Sequence, residues 1–316
     1  MVELTPEIPA SLRGCCLTLG NFDGVHLGHR KMLRELRRLG KKLQCPTVAV
    51  TFHPHPIAVL RPDSAPPLLT TIERRLELLK QTGIDAVWCL PVTRPLLQMT
   101  AREFFDGVLV QQFGLRGIVE GPNFMFGRDR SGTTDSLRQF CREQGIDCSI
   151  VPLEEIDGRE YSSTRIRELL RTGHVQEAAE LLGRPHEIVG IVAQGDQRGR
   201  RLGTPTANLE SITTLIPAHG VYACEAQVAG QRYAAAVNVG PNPTFASETA
   251  KLEAHLPGFS GDLYDMTLTL RFLRRLREIQ KFQNEDQLRS QIQQDITACL
   301  STFDARQAAS EAETTL

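Results

Sequence analysis

Two histidines three residues apart, His26 and His29, stand in the stretch LTLGNFDGVHLGHR that runs from Leu17 to Arg30, together with Gly24 and Gly28. At the first turn of a helix this spacing puts both imidazoles on one face. A helix N-terminus offers unpaired N–H groups and partial positive charge, and glycines let backbone approach a ligand with no Cβ between. That chemistry suits a nucleotide phosphate, with the imidazoles donating to an α-phosphate as its charge rises in the transition state. A second candidate is SSTRIR, residues 162–167, where Ser163 or Thr164 can cap a helix and Arg165 and Arg167 add fixed charge fit for leaving pyrophosphate. A third is QGDQRGRRLGTPTANLE, residues 194–210, which is too rich in Gly and Arg for a core strand. Gly195, Arg198, Gly199, Arg200 and Gly203 read as a phosphate-covering loop, followed by polar groups held rigid by Pro205. Thr206 and Asn208 share one side of extended backbone, and their oxygens suit a hard Mg²⁺ that is shared with nucleotide phosphates.

Plainer readings exist for each. Histidines at this spacing also occur on ordinary surfaces, SSTRIR reads equally as a cap with a solvated Arg face, and HPHP at residues 53–56 reads as a turn fixed by its prolines. His53 and His55 lack the Cys or carboxylate partners of a zinc site. The Met and Phe of GPNFMFG, residues 121–127, serve as well for loop-anchoring core as for contacts to an aromatic ligand.

The elements that must hold these groups follow from periodicity. An apolar run over residues 15–19 ends at Gly20 and predicts a strand, and Met32, Leu33, Leu36, Leu39 and Leu43 mark a helix after it. Strands are expected at residues 47–52, 86–90, 117–120 and 148–151. Helices between them open on T-x-x-E patterns at Thr70 and Thr100, with another near residues 135–143. Such alternation argues for a parallel sheet covered on both faces, with ligands beyond the carboxyl ends of the strands. After Gly183 the texture changes to strands at residues 186–193, 221–228, 233–239, 252–256 and 266–272, a hairpin turn at Ala229-Gly230 and a terminal helix from Asn284. An antiparallel sheet or small barrel is expected there. Three spans result: residues 1–184, residues 185–303, and a flexible tail at residues 304–316.

Composition narrows the function. A chain of 316 residues exceeds a usual single domain, and 41% hydrophobic content fills packed cores. A net charge of -1 and 6% aromatics give no field or stacking surface for nucleic acid. The Arg runs at residues 34–38 and 271–277 read as solvated faces. Eight cysteines without a C-x-x-C pair, no leader pattern and no membrane-length apolar run give the expectation of a cytoplasmic protein with reduced thiols, no membrane partner, and a monomeric or weakly homo-oligomeric state.

HxGH is the signature of the nucleotidyltransferase superfamily, and GNFDGVHLGH resembles the start of the bifunctional riboflavin kinase/FAD synthetase family. PTAN at 205–208, NVGPNPTF at 238–245, LEAH around Glu253 and GDLYD around Asp262 follow in that family's order. The resemblance spans roughly residues 15–300. It implies an N-terminal Rossmann-like nucleotidyltransferase domain and a C-terminal riboflavin kinase β-barrel domain with a terminal helix. The implied partners are riboflavin, FMN, FAD and ATP, with Mg²⁺. By the resemblance, Gly20, Phe22, Asp23, Gly24, His26, Gly28 and His29 belong to the ATP site of the adenylyltransferase, and Ser163, Thr164, Arg165 and Arg167 to its phosphate-binding segment. His53, Pro54, His55, Pro56, Asn123, Phe124 and Phe126 would lie around nucleotide and flavin. Glu253 would be the base that orients the riboflavin 5′-hydroxyl toward the γ-phosphorus. The chain departs from the family pattern at Gln194, Thr204 and Asp265, where His, an aromatic residue and Gly are usual. A monofunctional adenylyltransferase with a flavin-binding or regulatory barrel is the alternative these departures allow, and Glu253, Thr206 and Asn208 speak against it.

Overall fold

A computed structural model describes residues 2–3, 8–152, 161–194, 203–241 and 250–314. By packing the chain divides into two units, residues 1–66 with 71–162 and residues 67–70 with 163–316.

In the first unit, β1 (Val2–Glu3), β2 (Cys16–Leu19), β3 (Thr47–His53), β4 (Ala86–Pro91), β5 (Gly117–Glu120) and β6 (Asp147–Ile150) form one parallel sheet in the order β1-β4-β3-β2-β5-β6. The two-residue β1 is too short to leave a periodic signal in the sequence. β3 shows why these strands read as unbroken apolar runs: Val48 and Val50 face one apolar cluster and Ala49 the other, all fully buried. Between β2 and β3, α1 (Leu27–Leu43) buries Met32, Leu33, Leu36 and Leu39, the stripe read from the sequence.

The helices hold two departures. After α2 (Pro56–Leu60), α3 (Ile72–Lys80) is capped by Thr71, whose hydroxyl accepts from the Arg74 N–H at 3.2 Å. The expected cap, Thr70, is buried instead, so the T-x-x-E pattern is off by one residue. After α4 (Arg94–Gln98), α5 (Ala101–Glu103) opens with both arms of the Thr100–Glu103 capping box and passes into a π-helical stretch, Phe104–Gln112. Its buried Phe104, Phe105, Val108 and Leu109, followed by Phe113, recur every four to five residues, and a wider turn keeps them on one face. α6 (Thr134–Gln144) ends on left-handed Gly145.

The second unit begins with α7 (Ser163–Arg171) and α8 (Val175–Leu182). β7 (His186–Ala193), β8 (Ala207–Glu210), β9 (Gly220–Val228), β10 (Gln231–Pro241), β11 (Ala250–His255) and β12 (Thr267–Arg277) close an antiparallel barrel in the order β10-β11-β8-β7-β12-β9. β8 is a strand inside the stretch read as too rich in Gly and Arg for one, and it is formed by the last four residues of that stretch. The β9–β10 hairpin turns on Ala229 and Gly230, both left-handed as a two-residue turn requires. Register breaks between Phe272 and Arg274 and between Arg275 and Arg277 let β12 curl. α9 (Glu285–Thr314) sets Cys299 and Phe303 against Ala223 and Ala234. The sequence reading ends this helix at residue 303, but Ala305, Ala308, Ala309 and Glu311 are strong helix formers with no breaker among them, and the helix continues to Thr314.

Asp265 makes its turn in the left-handed region at φ 59°, and its N–H donates to the Val192 carbonyl at 2.9 Å. Asp tolerates this conformation and glycine adopts it freely. Asp265→Gly should therefore change the unfolding free energy by less than about 0.5 kcal/mol, whereas Asp265→Ala should lose roughly 1 kcal/mol, read by urea denaturation.

Candidate active sites

The loop after β2 is fastened from beneath by four contacts. The Leu19 N–H donates to Glu120 Oε1 at 2.7 Å and the Gly20 N–H to the Val50 carbonyl at 3.0 Å. The Thr51 hydroxyl donates to the Asn21 carbonyl at 3.1 Å, and Arg75 Nη2 to Asp23 Oδ1 at 3.3 Å. Phe22 and Val25 both have positive φ, 45° and 41°, and both are fully enclosed. Bulky residues enter that region only where packing compels them, at a cost of about 1–3 kcal/mol each. The strain lies immediately before His26.

His26 is the N-cap of α1, where its Nδ1 accepts from the His29 N–H at 3.3 Å. With Nδ1 an acceptor, a singly protonated ring carries its hydrogen on Nε2, a donor. The two imidazoles stack with centroids 3.6 Å apart, and the edge of Phe22 meets His29 at 5.2 Å. Gly28 has a packing reason: a Cβ there would lie 3.1 Å from the His26 ring and 3.1 Å from the Tyr161 Cβ. Gly24, at φ 84°, completes the turn. The structure thus gathers Gly20, Phe22, Asp23, Gly24, His26, Gly28 and His29 on one loop and helix N-terminus.

Sequence reading missed the residues beneath. Thr51, Arg75 and Glu120 stand 30, 52 and 101 residues from the loop atoms they hold, so no local pattern marks them. The Arg75 and Asp23 side chains are only 3% and 2% exposed. Removing one partner of such a pair costs roughly 3 kcal/mol, so Arg75→Met should lower stability by that amount in urea denaturation.

The remaining candidates of this unit line its loops. His53 is exposed at the end of β3, as is Pro54 after it. His55 Nδ1 accepts from the Ile57 N–H at 3.1 Å and caps α2, with Pro56 at its first turn. Phe124 and Phe126 stack at 5.4 Å; Phe126 is buried and paired through its backbone with Gly132, while Asn123 is exposed. Ser163, Thr164, Arg165 and Arg167 begin α7 in the second unit. Arg165 is exposed beside Glu168, and Arg167 is buried with Nε donating to the Pro67 carbonyl at 2.8 Å.

In the barrel, Asn208 of β8 lies opposite Glu253 of β11, and Glu253 opposite Asn238 of β10. Direct antiparallel partners share a face, so Asn208, Glu253 and Asn238 form one polar row across three strands. Asn238 Nδ2 reaches Glu253 Oε2 at 3.5 Å, and Lys251 Nζ lies 3.1 Å from Glu253 Oε1. Asn208 is buried, and among the described residues its Oδ1 has no hydrogen-bond partner. An enclosed amide oxygen left open suits a hard cation. Thr206 and Pro205 are exposed before β8, and the Pro205 carbonyl is bonded to His255 Nδ1 at 2.8 Å. Gly203 is left-handed at φ 78°. Gly195, Arg198, Gly199 and Arg200 lie outside the described residues. Asn238 and Lys251 are further members that the sequence did not single out. Among the described residues no group of three or more His, Cys, Asp or Glu side chains could hold a metal ion.

Comparisons with known proteins match two family models in succession along the chain. The FAD synthetase family model matches residues 8–165 and the riboflavin kinase model residues 182–303. A bifunctional riboflavin kinase/FMN adenylyltransferase of Pseudomonas fluorescens is 39% identical over 90% of this chain and 92% of its own length. That of Escherichia coli K12 is 35% identical with the same coverage, and that of Haemophilus influenzae is 32% identical over 93% of this chain and 96% of its own. A crystal structure described as a macrolide-efflux protein from Streptococcus pneumoniae superposes with a TM-score of 0.83 at 32% identity, covering 93% of this chain and 99% of that one. Among the described residues here, no helix is long and apolar enough to cross a membrane. With a strained glycine loop feeding stacked histidines in one unit and an Asn–Glu–Asn row in the other, matched by both family models in that order, the chain belongs to the bifunctional riboflavin kinase/FMN adenylyltransferase family.

Proposed function

We propose that residues 185–303 phosphorylate riboflavin with ATP and that residues 1–184 transfer AMP from a second ATP to the FMN so formed, as a cytoplasmic enzyme acting on small molecules. In the second reaction an FMN phosphate oxygen attacks the α-phosphorus, the bond to the bridging oxygen breaks, and pyrophosphate leaves. The observation that carries this half is the stacked His26–His29 pair at the N-terminus of α1. Nε2–H of His26 and the His29 ring donate to the α-phosphate as charge gathers on it, while amides of the loop and helix end hold the chain of phosphates. Gly20, Phe22, Asp23, Gly24 and Gly28 shape that cradle, Asp23 through Arg75. Ser163, Thr164, Arg165 and Arg167 serve the pyrophosphate. His53, Pro54, His55, Pro56, Asn123, Phe124 and Phe126 border nucleotide and flavin.

For the kinase the carrying observation is the direct pairing of Asn208 with Glu253 across β8 and β11. Glu253 orients the riboflavin 5′-hydroxyl and takes its proton as the bond to the γ-phosphorus forms and the bond from that phosphorus to the β–γ bridging oxygen breaks, releasing ADP. The open Oδ1 of Asn208 and the Thr206 hydroxyl are the hard donors that would hold Mg²⁺, which when bound supplies charge neutralisation at the ATP phosphates. Gly195, Arg198, Gly199, Arg200, Gly203 and Pro205 cover the nucleotide.

The test is chromatography of protein incubated with riboflavin, ATP and Mg²⁺ beside an incubation starting from FMN. FMN followed by FAD is expected. FAD from FMN with nothing from riboflavin would mean that the barrel is a flavin-binding module, and no product from either would overturn the reading.

A further inference from the structure

The strand order β1-β4-β3-β2-β5-β6 reverses direction between β2 and β5, because β3 and β4 build outward on one side of β2 and β5 and β6 on the other. In open parallel sheets, ligands sit at such a switch point beyond the carboxyl ends of the strands. Here the two strands part early. Their register pairs Cys16 with Gly117 and Leu17 with Ile118 and goes no further, although both strands continue for two more residues. Successive amides of a strand point to opposite neighbours, so the Gly20 N–H meets β3 at Val50 while the Leu19 N–H faces the opening toward β5.

A side chain closes that opening. Glu120, the last residue of β5, is 1% exposed, and its Oε1 accepts the Leu19 N–H at 2.7 Å. The GPNFMFG loop begins at the next residue, Gly121, whose backbone N–H favours the charged form of this carboxyl. One buried carboxyl therefore holds the root of the phosphate loop from the residue at which the loop opposite begins. Its enclosure pushes it well above the ordinary carboxylate range, with Cys148 of β6 as the titratable neighbour. Nothing in the mechanism above uses it.

We propose that Glu120 is a positioning residue for adenylyl transfer, a strut that replaces the missing β2–β5 ladder bond and fixes the width of the crevice in which the triphosphate is held. The inference rests on the adenylyltransferase reading of the first unit. Glu120 acts through the Leu19 amide and leaves the chemistry to the histidines. An acceptor oxygen is what the position requires, so Gln should serve in part and Leu, of similar size but without an acceptor, should fail.

The experiment compares wild type, Glu120→Gln and Glu120→Leu in the full chain. FMN adenylylation and riboflavin phosphorylation are both assayed, and hydrogen exchange is followed at residues 19–21. Glu120→Leu should raise KM for ATP in adenylylation at least tenfold with a smaller change in kcat, speed exchange at the Leu19 amide, and leave phosphorylation at its wild-type rate. Glu120→Gln should stay within about threefold of wild type in KM, a threshold set by retention of one neutral hydrogen bond. Wild-type KM in Glu120→Leu, unchanged Leu19 exchange, or a Gln variant as impaired as Leu would each overturn the proposal. If Glu120→Leu fails to fold, the Gln variant alone decides, since loss of ATP affinity there contradicts the acceptor requirement. Failure of wild type to form FAD from FMN would instead remove the parent reading.

Discussion

His29→Ala lowers FAD formation from FMN by about 10³-fold and leaves FMN formation from riboflavin unchanged, the loss expected when one preorganised donor to a developing negative charge is removed. His29 is the more informative of the pair. His26 also caps α1, so its replacement combines a lost donor with a lost cap worth about 1 kcal/mol. His29 contributes only its backbone N–H to that cap, and alanine keeps it. Its ring stacks on His26 and meets the edge of Phe22, so truncation also frees His26 to turn. The change should therefore appear in kcat with little effect on KM for ATP, because a group acting on the transition state alone changes kcat and kcat/KM together. Initial rates from separate FMN and riboflavin incubations measure it. Loss of both reactions in folded protein would mean that the two sites are not separate, and an adenylylation rate within tenfold of wild type would remove His29 from the chemistry.

The sequence reached the parts of this molecule that are local. Strand runs such as residues 47–52, the α1 stripe and the Thr100–Glu103 capping box each follow from neighbours within one turn or one strand, and the structure shows all three, with the strand reaching one residue further to His53. Legibility ended where a feature depends on a distant partner. Thr70 and Thr71 offer similar cap patterns, and only tertiary burial of Thr70 chooses between them. Arg75 reads as one more charge on a helix face until Asp23 is placed beside it. Glu120 ends an apolar strand, where a carboxylate suggests solvent, yet it is enclosed because β2 and β5 part above it. The barrel row was half visible. Thr206 and Asn208 announce a shared face by alternation, as do Lys251 and Glu253 within β11, but that Asn238 lies opposite Glu253 depends on the register of β10 and β11. Motif reading thus finds the groups that meet substrate, and misses the ones that hold them.

Glu253→Gln tests the kinase half more sharply than truncation does. Glu253 is the middle of the Asn208–Glu253–Asn238 row, with its side chain 31% exposed and Lys251 at 3.1 Å. Glutamine keeps the length and an oxygen for Asn238, so the row survives, but an amide cannot take the proton of the riboflavin hydroxyl. If proton transfer is its task, Glu253→Gln and Glu253→Ala lose FMN formation alike, by about 10³-fold, within the range for removal of a positioned general base. KM for riboflavin should change little, and FAD formation from added FMN should stay at the wild-type rate, which also reports that the chain is folded. The half-buried ion pair with Lys251 contributes about 1 kcal/mol, so neither change should shift the unfolding midpoint enough to account for the rate. A Gln variant within tenfold of wild type, beside a much slower Ala variant, would make Glu253 an orienting group. Phosphoryl transfer would then rest on alignment, with the alcohol losing its proton to solvent after the γ-phosphorus bond has formed.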